Sequence, residues 1–397
     1  MKILCIAIAN KAKSTGGHLH SLLNISRELA KDHNVKIISF GNESSELLDS
    51  SGLYIGYCSY KLLNIFRIRK QIKKIVGEFK PDVLNIYNEE IYLLFRLLIL
   101  FTDAKLILTK CGGKNPIKSQ WVFADNLIVF SKENYNWFIS NKKYKKSNIF
   151  LLPNRVGVVE IPSEMNQKNK KDKNSFNFLR IGRISRSYIN SYMKLIDLVA
   201  QLKKDNFLVR LFIIGTINDI QYYKQIKHKI TLTGIDCTLI TDENKVKIAS
   251  KYLYLGDCVL GTGRSAMEAM SVSKPVLVPA LNSPFPILLT KDNFELYFNM
   301  NFSERSFATV EDIRQNYDKI VSLIKDKNYR KKVEEDSLII FNENFSVLEL
   351  NKKYQSIFEK ATNKRKFSLY NFIYLIYCLN PFKKSIINRK VNREEKN

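Results

Sequence analysis

Between Gly256 and Val278 the chain reads GDCVLGTGRSAMEAMSVSKPVLV, and here residue types and spacing come nearest to chemistry. An apolar strand ends at Leu260, Gly261 and Gly263 leave room for close approach to the backbone, and a helix opens near Ser265. Free amides and a helix dipole worth roughly half a positive charge then face whatever binds there. A diphosphate suits that place, and Glu268, three residues into the helix, is placed to accept hydrogen bonds from a sugar diol such as a ribose. A plainer reading uses the same residues: Ser265 and Glu268 are spaced as a capping box, in which each side chain satisfies the other's backbone amide without any ligand.

Two more loops carry candidate residues. Gly16 and Gly17 end a polar turn after the first apolar run, and His18 follows at the start of a helix, where it either reaches a cleft or lies on the surface. Thr109-Lys110-Cys111-Gly112-Gly113-Lys114 follows the apolar run Leu106 to Leu108, so a glycine turn bearing Lys110 and Lys114 opens at a strand's carboxyl end. The alternative there is a plain turn with solvated lysines. Four histidines (18, 20, 33 and 228) and six scattered cysteines form no metal-ligand spacing and no disulfide framework, and no Asp-x-Asp follows a strand. We therefore expect no metal and no cofactor, and a reducing compartment.

The elements that must position these loops follow from hydrophobic periodicity. Near-continuous apolar runs at Ile3 to Ala9, Val35 to Phe40, Val83 to Ile86, Leu106 to Leu108, Leu127 to Phe130 and Phe150 to Leu152 alternate with helix-length segments, the grammar of a parallel sheet covered on both faces. Ser163 to Ser175 is polar except for Met165 and marks a boundary. The same grammar restarts beyond it: strands at Phe176 to Ile181, Val209 to Ile214, Thr238 to Ile240, Cys258 to Leu260 and Pro275 to Val278, with helices over Tyr188 to Leu202 and Lys245 to Leu253. The expected fold is α/β, two tandem Rossmann-like doubly wound domains, with ligands at the carboxyl ends of the strands and in the cleft between the domains. The domains run over 1–162 and 176–345, followed by a helix and basic aromatic tail over 346–397.

With 397 residues, 45% hydrophobic and 26% charged, the chain has ample length for two hydrophobic cores and is not a disordered or collagen-like chain. No run reaches the roughly 18 to 20 apolar residues of a membrane-spanning helix. A net charge of +26 attracts polyanions. No helix-turn-helix, RNA-recognition signature or zinc finger accompanies it, so no specific nucleic acid is expected. After Lys364, Arg365 and Lys366 the aromatics Phe367, Tyr370, Phe372, Tyr374, Tyr377 and Phe382 are interleaved with Leu and Ile before Lys383 and Lys384. That tail reads as an interfacial anchor on an anionic, cytoplasmic membrane face; the alternative is that it packs back on the first domain.

Taken in order, these pieces resemble glycosyltransferase family 4, retaining enzymes of the GT-B fold. Gly261-Thr262-Gly263, Glu268-Ala269-Met270 and Ser273-Lys274-Pro275 match its donor-binding signature, although the first Glu of that signature is Leu260 here. Leu152-Pro153-Asn154, Gly182-Arg183 and Ile213-Ile214-Gly215 match further elements, and no histidine occupies the 109–114 loop where family members commonly carry one. The resemblance implies Arg183 for a donor diphosphate and Glu268 for the ribose. Tyr188 replaces the usual lysine, leaving Arg186 and Arg264 as further cations. It implies a nucleotide-diphosphate sugar as co-substrate and a glycan or lipid-linked acceptor, as in bacterial-type surface polysaccharide synthesis. It does not assign the catalytic residues. A nucleotide-sugar epimerase of the same fold, or a non-catalytic basic protein binding membrane or RNA, are the competing readings.

Overall fold

The computed structural model describes residues 1–9, 17–59, 65–98, 102–117, 121–161, 175–363 and 369–379. The chain forms two compact units, Met1–Leu152 with Leu348–Asn397, and Pro153–Val347.

In the first unit, strands β1 (Lys2–Ile8), β2 (Asn34–Gly41), β3 (Tyr54–Ser59), β4 (Val83–Ile86), β5 (Lys105–Lys110), β6 (Asn126–Val129) and β7 (Asn148–Leu151) form one parallel sheet in the order β3-β2-β1-β4-β5-β6-β7. Side-chain alternation splits its core into two layers: Leu4, Ile6, Leu84 and Leu108 face one way, Ile3, Cys5, Val83 and Ile107 the other. Helices α1 (Gly17–Leu29) and α2 (Glu46–Asp49) cover the second layer. Helices α3 (Ile65–Phe79), α4 (Glu89–Leu98) and α5 (Lys132–Ser140) cover the first. Burial on both faces is why the strands read as continuous apolar runs. Sequence reading missed β3, an edge strand whose exposed Ile55 and Tyr57 and whose slipped register against β2 break the apolar run.

In the second unit, β8 (Phe176–Ile181), β9 (Val209–Ile214), β10 (Cys237–Ile240), β11 (Cys258–Leu260), β12 (Val276–Val278) and β13 (Ile287–Leu288) lie in the order β10-β9-β8-β11-β12-β13, parallel except for β13. Helices α6 (Ile189–Lys204), α7 (Ile220–Thr233), α8 (Glu243–Val246), α9 (Arg264–Met270), α10 (Phe294–Asn299), α11 (Val310–Lys325) and α12 (Lys327–Asn344) complete it. Local chemistry sets several ends: Asp219, Thr309 and Asp326 cap α7, α11 and α12, and Gly234 closes α7 in the left-handed region. The helix expected over Lys245 to Leu253 is instead the single turn α8 followed by a 3-10 stretch, Ala249–Leu255. Tyr252, Leu253, Tyr254 and Leu255 are all buried, and a period of 3.6 cannot send four consecutive side chains to one face.

The division between the units falls at Leu152/Pro153, upstream of the polar stretch that the sequence suggests. Beyond Pro153, the Val156 amide donates to Phe345 O (2.9 Å) and Arg155 Nη1 to Ser346 O (3.4 Å), tying this segment to the second unit. Residues 162–174, most of the expected boundary, lie outside the described residues. From Leu348 the chain rejoins the first unit. Helix α13 (Leu350–Lys360) buries Leu350, Tyr354 and Phe358 in the core layer that α1 covers, and α14 (Leu369–Leu379) buries Tyr374 in the other layer, beside α4. The described part of the aromatic tail therefore packs on the first unit; Lys364 to Lys366, Phe367 and Phe382 to Lys384 lie outside the described residues.

Candidate functional site

The second sheet changes direction between β8 and β11, so the carboxyl ends of these two strands are neighbours. In open α/β sheets this reversal is where ligands settle, outside the strand ends. Gly182 and Arg183 follow β8, and the segment from Gly261 to Glu268 follows β11, so the topology brings these sequence-derived candidates to one place. Arg183 is exposed, with its guanidinium 5.8 Å from the Tyr188 ring centroid. Arg186 is exposed in the 3-10 turn Arg186–Tyr188 that leads into α6.

Sequence reading missed the cation beneath them. Arg180, on β8, is wholly buried; its Nη1 donates to Leu260 O (3.1 Å) and its Nη2 to Ser191 Oγ (3.3 Å). Its guanidinium lies 5.8 Å from the Tyr188 ring and 5.2 Å from the Tyr192 ring, so Tyr188 flanks both Arg180 and Arg183. Nη2 also stands 3.8 Å from Glu304 Oε1, in a loop that sequence reading did not single out. Burial pushes the Glu304 carboxyl above its ordinary range, against the opposing pull of Arg180, Ser191 and Lys194. A lone charge in the apolar strand FNFLRI was the available signal for Arg180.

The loop containing Glu304 reaches the glycine turn as well. Gly263 N donates to Asn301 O (3.2 Å), and Asn301 and Phe302 sit consecutively in the left-handed region at φ 54° and 53°. Fully buried Phe302, packed among Phe294, Phe298 and Phe345, holds that conformation, whose backbone cost is of order 1–3 kcal/mol per residue.

The glycine turn is fixed by its own packing and backbone geometry. Packing requires a glycine at 261, because a Cβ there would stand 2.5 Å from Ala266 Cα of α9. Gly263, at φ 50°, is the helix N-cap residue and is held by backbone geometry. The capping box does not form: Ser265 Oγ accepts from Thr262 N (3.0 Å) and donates to Thr262 O (3.1 Å), while Glu268 Oε1 accepts from Arg264 Nε at 2.7 Å. With seven residues, α9 is about two turns long. Arg264 Nη1 is buried without a hydrogen-bond partner.

The first sheet reverses between β1 and β4. At that point Ile8 N donates to Asn88 Oδ1 (2.7 Å), and His18 Nε2 lies 3.2 Å from Ile8 O, which ties the start of α1 to the end of β1. Gly17 is the first residue of α1, and Gly16 lies outside the described residues. Lys110, rather than pointing to solvent, donates to Gly112 O (2.7 Å). Asn134, missed in the sequence, donates to Gly113 O (3.2 Å) and Asn115 Oδ1 (2.8 Å), holding the glycine turn against α5. Among the described residues no group of three or more His, Cys, Asp or Glu gathers as a metal site.

No family model matches the sequence, and no curated protein matches it by sequence. The fold has many solved counterparts. A glycosyltransferase from Rickettsia africae ESF-5 superposes with a TM-score of 0.66 at 16% identity, over 90% of this chain and 98% of that one. Anabaena HepE in complex with UDP and glucose gives 0.62 at 14%, over 90% and 99%. The lipopolysaccharide outer core galactosyltransferase WaaB gives 0.57 at 15%, over 90% and 99%. At such identities the likeness establishes the fold: two parallel α/β sheets with interleaved helices, the architecture of GT-B glycosyltransferases.

Proposed function

We propose that the chain is a glycosyltransferase that moves a sugar from a nucleoside diphosphate donor, of the UDP-sugar class, to a glycan or lipid-linked acceptor. Retention at the anomeric carbon follows from its resemblance to family 4. The observation that carries this reading is the convergence of Gly182-Arg183 with the Gly261–Glu268 segment at the reversal point of the second sheet, in a fold that HepE, solved with UDP-glucose, shares. Arg183, assisted by Arg186 and Arg264, would hold the diphosphate and stabilise charge developing on it as the sugar departs. Glu268 would accept from the ribose hydroxyls. His18, Lys110, Gly112 and Gly113 would shape the acceptor side. We place the enzyme at the inner face of the membrane, in surface polysaccharide assembly. No described helix is long and apolar enough to cross a membrane.

Calorimetric titration of the full chain with UDP, GDP, ADP and uridine tests the donor class. Release of free nucleoside diphosphate from a nucleotide sugar, measured with and without a membrane extract supplying acceptors, tests transfer. Acceptor-dependent release supports the reading. Interconversion of the sugar without an acceptor supports the epimerase, and binding of RNA with no nucleotide binding defeats both enzymes.

A further inference from the structure

We infer that the first unit docks on an anionic lipid surface through the helix layer α3, α4, α5 and α14, with α14 seated in the interface by its outward face. This deepens the membrane-face location proposed above and rests on it, and it is independent of the donor site in the second unit.

Helix α14 is fixed by its inward residues. The Asn371 carboxamide pairs with one backbone unit, accepting from Phe123 N (2.7 Å) and donating to Phe123 O (3.1 Å), while Tyr374 is buried beside α4. Tyr370 lies at the edge of this seat, its ring 4.9 Å from Lys143 Nζ. With the residues at i and i+3 turned inward, Leu369, Phe372 and Ile373 fall on the opposite side, 60%, 58% and 46% exposed. Single exposed apolar residues are ordinary, whereas three large ones on little more than one turn of a well-seated helix form a patch that calls for a cover.

The charges around it identify the cover. Lys142, Lys145 and Lys146 are exposed beside Lys143, next to Tyr370. On the same layer α3 turns Ile68, Ile72 and Val76 to the core and Arg67, Arg69, Lys70, Lys73 and Lys74 outward, with Glu78 its one acid. A nucleic acid would use the cations and leave Leu369, Phe372 and Ile373 in water. Apolar side chains beside the lysine cluster at 142–146, on a layer whose α3 turns its basic residues outward, match acyl boundary and anionic headgroup together.

The test is flotation of the full chain with vesicles of phosphatidylcholine alone or mixed with phosphatidylglycerol. Binding is expected only with phosphatidylglycerol and should weaken with salt. Leu369→Ser/Phe372→Ser/Ile373→Ser should lower it by on the order of tenfold or more. Lys70→Gln and Lys73→Gln should each lower it about fivefold. All variants should keep the wild-type melting temperature and affinity for UDP. If the triple variant floats like the wild type, this surface is overturned while a membrane location through another part of the chain survives. If the wild type ignores phosphatidylglycerol, or holds single-stranded RNA instead, surface and location both fall, and the UDP titration still decides the enzyme.

Discussion

Replacing Arg180 by Met should destabilise the second unit by about 3 kcal/mol. The side chain is wholly buried, and its removal strands the Glu304 carboxylate, itself only 18% exposed. Breaking a buried ion pair from one side costs about 3–5 kcal/mol. The lower end applies because the separation is 3.8 Å and because Lys194 also faces Glu304. Burial holds the Glu304 carboxyl above its ordinary range even with Arg180 in place. A folded-state value above the unfolded one means that the native state binds this proton more tightly, so the group's contribution is fully present at low pH and is lost as pH rises through the folded value. Without Arg180 that value climbs further. The penalty should therefore be larger at about pH 8 than at about pH 5, and Arg180→Met/Glu304→Leu should recover much of it. Urea unfolding followed by far-ultraviolet circular dichroism gives the numbers. Trp121 and Trp137 are the chain's two tryptophans, both in the first unit, and their fluorescence serves as an internal control. A penalty below about 1 kcal/mol, or one equal at both pH values, would show that the pair is not the buried, mutually dependent one argued here.

Glu268→Ala and Arg264→Ala break the same ion pair, so both should lower stability by about 0.5–1.5 kcal/mol; loss of Glu268 should remove the ribose contact and weaken UDP and uridine alike by roughly tenfold or more, whereas loss of Arg264 should weaken UDP and leave uridine nearly untouched. An unchanged uridine affinity in Glu268→Ala would remove Glu268 from the site. Arg183→Ala should raise the dissociation constant for UDP about tenfold or more and leave uridine nearly untouched, because the lost contact is to phosphate; equal losses for both ligands would place Arg183 elsewhere. Burial lowers the Lys143 ammonium to about 8, so competitive acetylation followed by mass spectrometry should give this amine a midpoint near that pH, well below exposed lysines. A midpoint like theirs would mean that Trp121 O and the Tyr144 and Tyr370 rings hold its charge in full.

The alternation of buried runs made both sheets legible, because strands covered on two faces must be apolar throughout and leave no ambiguity of face. β3 and β13 escaped for the opposite reason: one is an exposed edge, the other two residues long. Gly261 to Glu268 could be read as a candidate because it follows a strand's carboxyl end, a position sequence order reveals, and Gly182-Arg183 because it resembles the family 4 element after the second domain's first strand. Their partners could not. Glu304 lies 124 positions beyond Arg180, and Asn301 meets Gly263 only through two left-handed residues that a buried phenylalanine enforces. The sequence marks Gly261 as a place of close approach, and in the structure Ala266 makes one.

The Arg264–Glu268 pair sharpens what a nucleotide must do in this site. A carboxylate that accepts from Arg264 Nε through one oxygen keeps further lone pairs for ribose hydroxyls, so the ligand need not break the pair to use Glu268. The guanidinium in turn keeps a buried Nη1 without a hydrogen-bond partner, one residue after Gly263, the N-cap of α9. An acceptor oxygen on the ligand would satisfy that donor and recover part of the desolvation cost, about 1–3 kcal/mol, that the protein carries without it. In the donor site proposed above, the pair would work as a preset fork, with Glu268 offering acceptors and Arg264 a donor from one helical turn. Arg264→Lys, which keeps the charge but not the planar fork, should consequently weaken UDP more than it weakens folding, and an unchanged titration would show that the unpaired Nη1 has no part in binding.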